Sequence, residues 1–292
     1  MMYRIPNNAL TYCVLFLATG CTPPPEAPAD LEDLCEYIFA HLDDEETVEL
    51  EAGIANLDTW LQTGENLAST IEGYQINNLN DESVADLDDK ERSIRESLVG
   101  ASVAHSYNHT MNELLDTMFV ADWDRVSSGT YSCYERIYDD NANASCLLDG
   151  SCDWLSYQTT SVSSWAGLVT VVSNNSGQIR SIQTEYGPVV LQRTWLNEPA
   201  ETSGVLGDSV NVHAQYYVNI TMPIASGEIL RTTATWIDGE YLIEDQDFAK
   251  NQMIRTMQNQ NEILTEWIDG PQDNEGSCLC SVYDYEADSC PE

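Results

Sequence analysis

Positive charge is scarce in this chain, so each arginine inside a strand-like stretch is a candidate for chemistry. The 292 residues hold 11 Lys and Arg against 49 Asp and Glu. In Leu191-Gln192-Arg193-Thr194-Trp195-Leu196 the period-2 spacing of a strand puts Leu191, Arg193 and Trp195 on one face. In the stretch from Leu230 to Ile237 it puts Arg231, Thr233, Thr235 and Ile237 on one face and Trp236 on the other. Arg193, Trp195 and Arg231 are therefore the ligand-contact candidates. A strand arginine in so acidic a chain has two readings. Either carboxylates hold the guanidinium, the usual state of a partly buried arginine, or it forms one wall of an anion-recognising cleft. The same region gathers Trp154, Trp165, Trp195 and Trp236 with Arg180, Arg193 and Arg231, residue types enriched at recognition surfaces. The sheet region and final helix are thus expected to form the functional module, with acidic helices as its support.

Other constellations are weaker. His105 and His109 in His-Ser-Tyr-Asn-His share a face if helical, but the metalloprotease pattern needs a glutamate where Ser106 stands. Asp139, Asn141 and Asn143 begin like a calcium loop, yet Ala144 and Gly150 occupy the places of the required glycine and glutamate. A polar turn is the plainer reading there, with weak divalent-cation binding as the second. No G-x-S-x-G elbow, P-loop or dinucleotide fingerprint is present, so no catalytic residue, metal ligand or cofactor is assigned. Seven tryptophans could line a cleft, but packing is their commoner use.

The elements that must position these residues divide the chain. Residues 31–125 read as an acidic helical region. Leu31, Leu34, Cys35, Ile38 and Leu42 follow helical spacing, as do Leu50, Ile54, Leu57 and Leu61. A third, charged helix is expected over about 82–98. Asn108 reads as the cap of a helix carrying Met111, Leu114, Leu115, Met118 and Phe119 on one stripe. Residues 126–270 read as an antiparallel sheet plus a long helix from about 246 to 268. Stretches rich in Val, Ile, Thr, Tyr and Trp alternate there with turn signals at Asn174–Gly177, Gly187-Pro188, Ser226-Gly227 and Asp238-Gly239. Residues 271–292 read as a cysteine-containing polar tail. The fold class is α+β: amphipathic helices, then an antiparallel sheet, then a long C-terminal helix. This order weakly resembles the helix-grip, START-type architecture, in which a curved sheet wraps a long C-terminal helix. That resemblance rests on element order and implies a ligand pocket between sheet and helix. A simple sheet with the last helix on one face is the equal alternative.

Composition limits the partners. Hydrophobic residues make up 42% of the chain, enough for a real core. A formal charge of −38 repels phosphate backbones and anionic headgroups, which makes nucleic acid a poor partner. Its plain reading is a solvated, soluble surface.

The N-terminus has the layout of an export signal. Arg4 precedes an apolar stretch from about Ala9 to Ala18, and small residues follow. That stretch is shorter than the ~20 residues that span a bilayer as a helix. Ala18-Thr19-Gly20-Cys21 resembles the lipobox of bacterial lipoproteins, though with Ala18 where leucine is commoner. The resemblance covers residues 1–21. It implies removal of a signal peptide over 1–20, diacylglyceryl transfer to the thiol of Cys21 and acylation of the new amino terminus. Two or more acyl chains hold a protein stably at a membrane. Residues 21–30, with their proline run, would serve as an extended tether of ~3.1 Å per residue. Thr22, where retention signals carry Asp, implies export to the outer membrane in Gram-negative lipoproteins.

In an exported protein disulfides are the default. Short enclosed loops favour Cys146 with Cys152 and Cys280 with Cys290. Cys35, on an apolar helix face, is a buried thiol or a distant partner, with Cys133 the candidate.

The favoured functional reading is a non-enzymatic binding or scaffolding ectodomain held at the membrane by lipid. The alternative is a small-molecule-binding or hydrolytic domain with a pocket between sheet and last helix. Convergent polar groups in a deep cavity favour the alternative, and a filled core with a flat apolar patch favours the first. Intact-mass analysis of membrane-extracted protein is expected to show a chain starting at Cys21 with acyl groups attached. A Cys21→Ser variant that stays in the detergent phase, cleaved at the same bond, would contradict this.

Overall fold

The computed structural model describes residues 26–85, 87, 98–139, 145–165, 168–205, 210–240, 246–271 and 278–284. Cys21, Cys290, residues 88–97 of the expected third helix and Asn141 and Asn143 of the calcium-like loop lie outside them. Helices α1 (Leu31–Ala40), α2 (Val48–Leu61) and α3 (Gly64–Glu72) come first, then strand β1 (Tyr74–Ile76). Strand β2 (Val99–Tyr107) and helix α4 (Met111–Met118) follow, then β3 (Tyr131–Tyr138) and the short helix α5 (Ser145–Asp149). Next come β4 (Trp154–Trp165), β5 (Val169–Thr184), β6 (Gly187–Leu196), β7 (Glu201–Ser203), β8 (Asn211–Pro223) and β9 (Ile229–Glu240). Helix α6 (Gln246–Asp269) is the last described helix. The strands form one antiparallel sheet in the order β1-β2-β9-β8-β6-β5-β4-β3, with β7 beside β5. The α+β class and the long C-terminal helix are as the sequence predicts.

Helices cover both faces of this sheet. On one, the apolar stripes of α1 and α2 bury Leu34, Ile38, Phe39 and Leu57 against Leu191, Tyr216, Ile220 and Trp236. Trp236 is fully buried, meets the ring of Phe39 at 5.8 Å and donates its indole N–H to Asn77 O at 2.7 Å. Truncating so large a buried ring costs about 3–5 kcal/mol. On the other face, Met253 and Met257 of α6 pack on Val99, Ala101 and Val103 of β2. Leu264 of α6 meets Leu114, Leu115 and Met118 of α4 in a second apolar cluster.

Four local expectations are corrected. First, residues 99–107 are strand, not helix. β2 pairs with β9 along its whole length and is covered on both faces, so it reads as a run of small and apolar residues without alternation. His105 lies in β2 and His109 beyond it, so the two do not share a helix face. Second, Thr110, not Asn108, caps α4. Its side chain accepts from Glu113 N, and Glu113 accepts from Thr110 N at 2.8 Å. Third, Asn174–Gly177 is no turn. β5 runs straight through it, pairing Asn174 with Thr160 and Gly177 with Tyr157. A Cβ at Gly177 would overlap the Tyr157 ring, so this glycine serves close approach within the sheet. Fourth, Cys280 does not take a partner in its own tail. It bonds Cys133, 147 residues away, while Cys146 bonds Cys152.

The Cys133–Cys280 link fastens the tail along β3, the edge of the sheet. Tyr134 N donates to Cys278 O, Cys278 N to Asp124 Oδ2 at 2.7 Å, and Ser281 N to Glu135 Oε2 at 2.9 Å. The tail thereby satisfies groups that an open edge strand leaves unpaired. Cys35 is a free, buried thiol, and burial pushes its pKa up to about 12. Non-reducing peptide mapping is expected to recover Cys133 and Cys280 in one linked fragment. A Cys280–Cys290 fragment, or Cys35 joined to Cys133, would contradict the structure.

Candidate functional site

The alternation of β6 and β9 sorts the predicted residues onto opposite faces. Arg193 and Trp195 point toward α1, and Arg231 points toward α6. Arg193 is wholly buried. It donates to Asp43 Oδ2 at 2.7 Å, to Phe39 O at 3.1 Å and to Gln178 Oε1 at 2.6 Å. The rings of Phe39 and Trp195 lie 5.7 Å and 5.6 Å from its guanidinium carbon. Arg180, on the same face, donates to Leu42 O, Asp44 O and Glu45 O and stacks near Trp154. Both arginines therefore hold the segment after α1. Trp236 and Trp195 belong to the same apolar layer, and Trp60 packs on Tyr74.

The α6 face has a different chemistry. Where β9, β8, β6 and β4 cross its centre, the inward residues are Thr233, Asn219, Gln192 and Tyr157. They form one continuous relay. Thr233 donates to Asn219 Oδ1 at 2.7 Å, and Asn219 Nδ2 to Gln192 Oε1 at 3.1 Å. Gln192 Nε2 donates to Tyr157 OH at 2.6 Å, and that hydroxyl bonds Thr194 Oγ1 at 2.6 Å. A buried arginine stands at either side of the relay. Arg231 donates to Asn261 Oδ1 of α6 at 2.7 Å and to Tyr217 OH at 3.2 Å, and Tyr107 OH donates to the same Asn261 oxygen at 2.8 Å. Arg136 donates to Met118 O at 2.9 Å and Tyr134 OH at 2.8 Å, with the Tyr157 ring 5.0 Å from its guanidinium carbon. Between them Tyr131, Thr194, Gln215 and Tyr217 are half-buried, while Thr159, Gly177, Asn219 and Thr235 are buried beneath. Together they form a polar layer on the α6 face, with a buried floor and a half-buried margin.

The electrostatics follow from those partners. Burial raises the pKa of Tyr107, Tyr131 and Tyr138, and that of Tyr157 to about 12, so these phenols are neutral at physiological pH. Burial works against the charge of Arg136 and Arg231, but the phenolic oxygens around each more than offset it, so both stay cationic. Their charge is solvated by dipoles rather than cancelled. Among the described residues neither forms an ion pair with a carboxylate. His105, the β2 neighbour of Arg231, is held below its ordinary pKa by burial first and by the nearby guanidinium second. No group of metal-ligating side chains is assembled among the described residues.

No protein-family profile and no characterised protein sequence matches the chain. Solved structures do. A START-superfamily protein from Mycobacterium smegmatis matches at TM-score 0.36 and 8% identity, over 58% of this chain and 97% of that one. Human StAR-related lipid transfer protein 5 matches at TM-score 0.37 and 10% identity, over 75% of this chain and 97% of that one. The lipid transfer and protein localization domain of human StarD13 matches at TM-score 0.35 and 11% identity, over 58% of this chain and 75% of that one. Likeness at this level says nothing of ligand or activity. The fold reading rests on the strand order and helix packing described above.

Sequence reasoning passed over Arg136, Tyr107, Tyr157, Tyr217 and Asn261. The signal for Arg136 was the one used elsewhere: Tyr134, Arg136 and Tyr138 alternate on one strand face. Asn261 had no such signal, because one polar residue in a helix of mixed polarity is unremarkable until its burial is known. On the α1 face, Asp43→Ala should cost about 2–3 kcal/mol in urea unfolding. That is below the ~3–5 kcal/mol of a wholly buried pair because Asp43 keeps contact with solvent. A loss under ~0.5 kcal/mol, as for an exposed pair, would show that Arg193 does not depend on it.

Proposed function

We propose that this chain is an exported lipoprotein, anchored through Cys21 at the outer membrane, whose ectodomain binds a small molecule without chemically changing it. The observation that carries the binding reading is the α6 face itself. On the α1 face the two buried arginines sit in an apolar layer and are tied to the carboxylate of Asp43 and to backbone carbonyls. On the α6 face two cationic side chains, a five-member hydrogen-bond relay and a ring of tyrosines converge instead. Burying such groups is costly and needs every partner in place. Convergent polar groups set in a largely apolar fold support a ligand chamber between this layer and α6.

The anchored part of the reading is supported by the signal layout and the lipobox resemblance, and the non-enzymatic part by the lack of a recognised catalytic motif in the sequence. The proline-rich tether would hold the chamber away from the bilayer. Large exposed apolar side chains such as Val48, Ile137, Tyr186 and Val205 stand on separate elements, which supports a small-molecule ligand over a broad protein interface.

The test is chamber occlusion. Native mass spectrometry of the protein recovered from producing cells is expected to show a small molecule released on denaturation. Thr194→Trp, which fills the rim, should lower its occupancy at least ~10-fold, a loss of ~1.4 kcal/mol, with an unchanged circular dichroism spectrum. Absence of any retained molecule, or equal retention by Thr194→Trp, would overturn the reading.

A further inference from the structure

Around Arg231 three polar groups have no hydrogen-bond partner among the described residues: Arg231 Nε, Asn261 Nδ2 and Thr221 Oγ1. They belong to one neighbourhood. Thr221 is the cross-strand partner of Arg231 in β8, and Asn261 already accepts from Arg231 Nη1. The Asn261 amide orientation is settled by chemistry, because a guanidinium only donates and so requires the oxygen, which turns Nδ2 the other way. Arg231 is 7% exposed, Asn261 and Thr221 are fully buried, and all three atoms are hidden from solvent. Two of these groups can only donate and the third can donate. All three can donate to one acceptor.

Charge narrows the acceptor further. Arg231 is cationic and, among the described residues, has no carboxylate against it. The carboxylate that His105 senses, Glu262, is exposed and makes no ion pair with Arg231. In a chain with 49 acidic residues, leaving this guanidinium without one is the informative feature. On the opposite face Arg193 has Asp43, which shows the ordinary solution. The neighbours of Arg231 instead are neutral donors or phenols: Tyr107, Tyr217, Asn261 and His105.

Resting on the reading of the α6 face as a ligand chamber, we infer that its ligand carries an oxyanion, a carboxylate or a phosphate group, that binds at Arg231, Asn261 and Thr221. The anion accepts from Arg231 Nε, Asn261 Nδ2 and the Thr221 hydroxyl, while Arg231 Nη1 and Nη2 remain tied to Asn261 and Tyr217. The tyrosines along the chamber supply flat apolar faces for the rest of the molecule. The acidic exterior repels anions generally, so capture depends on this interior positive site. Donors that have no other partner reject a ligand lacking the acceptor.

A matched pair of probes tests this: 8-anilinonaphthalene-1-sulfonate and N-phenyl-1-naphthylamine, the same ring system with and without an oxyanion. Fluorescence titration of the full chain is expected to show the sulfonate binding at least ~10-fold more tightly. Arg231→Gln should abolish that preference, and Arg255→Gln, on the exposed side of α6, should leave it intact. Thr221→Val keeps the side-chain shape and removes a hydroxyl unpartnered in the protein. It should weaken sulfonate binding several-fold while leaving Tm unchanged or higher, and it carries the test if Arg231→Gln does not fold. Displacement of the sulfonate by dodecanoate or by dodecyl phosphate identifies the oxyanion, and displacement by neither overturns the inference. Equal binding of the two probes in the chamber overturns the oxyanion and leaves the chamber standing. Binding of neither, or sulfonate binding insensitive to both Arg231→Gln and Thr221→Val, removes the oxyanion site, and Thr194→Trp then decides the chamber independently.

Discussion

A guanidinium buried in a sheet must have its charge balanced or solvated, and this constraint organises both faces of the molecule. Four buried arginines, Arg136, Arg180, Arg193 and Arg231, project from its strands. Two face α1 and two face α6. Those facing α1 act as fasteners. Helix α1 has no basic residue in its last turn, although the carbonyl end of a helix favours positive charge. The sheet supplies it: Arg193 takes Phe39 O and Arg180 takes Leu42 O, with the carboxylate of Asp43 completing the neutralisation of Arg193. Remove that contact and the α1–α2 connection loses a polar anchor on the sheet.

The arginines facing α6 obey the same constraint by different means. Carbonyls of the α4–β3 segment and a cage of aromatic rings solvate Arg136. An asparagine and two tyrosines surround Arg231. Neutral dipoles lower the cost of burying a charge without cancelling it. The result is a residual positive potential inside a strongly negative molecule. Such an arrangement destabilises the fold by itself, and the dense apolar packing on the opposite face offsets it. Neutralised and unneutralised buried charge are thus divided between the two faces of one sheet.

The acidic surface adds a separate demand. With a formal charge of −38, self-repulsion favours expansion of the chain. Covalent closure opposes it at the sheet edge and ahead of β4. The Cys133–Cys280 bridge holds the tail on edge strand β3, and the Cys146–Cys152 bridge closes the segment leading into β4. The tail also bonds β3 through Tyr134 N and the Glu135 side chain, so one link both restrains the chain and protects a sheet edge.

The sequence by itself determined whatever depends on local periodicity. Alternation in 189–196 and 229–237 was enough to say that Arg193 shares a face with Trp195 and that Arg231 lies opposite Trp236, because side chains in a strand can point only two ways. The long final helix and the antiparallel order followed from spacing and short connections. Tertiary structure alone decided which face each set would meet. Helical covering of both sides hid β2 behind a run of small residues, and the Tyr157 ring turned Gly177 from a turn signal into a packing site. The meeting of Arg193 with Asp43, of Arg231 with Asn261 and of Cys133 with Cys280 joins residues 30 to 150 positions apart. No local pattern records such pairs. They arise when the sheet brings distant strands and helices together, and burial then makes a particular donor seek a particular acceptor.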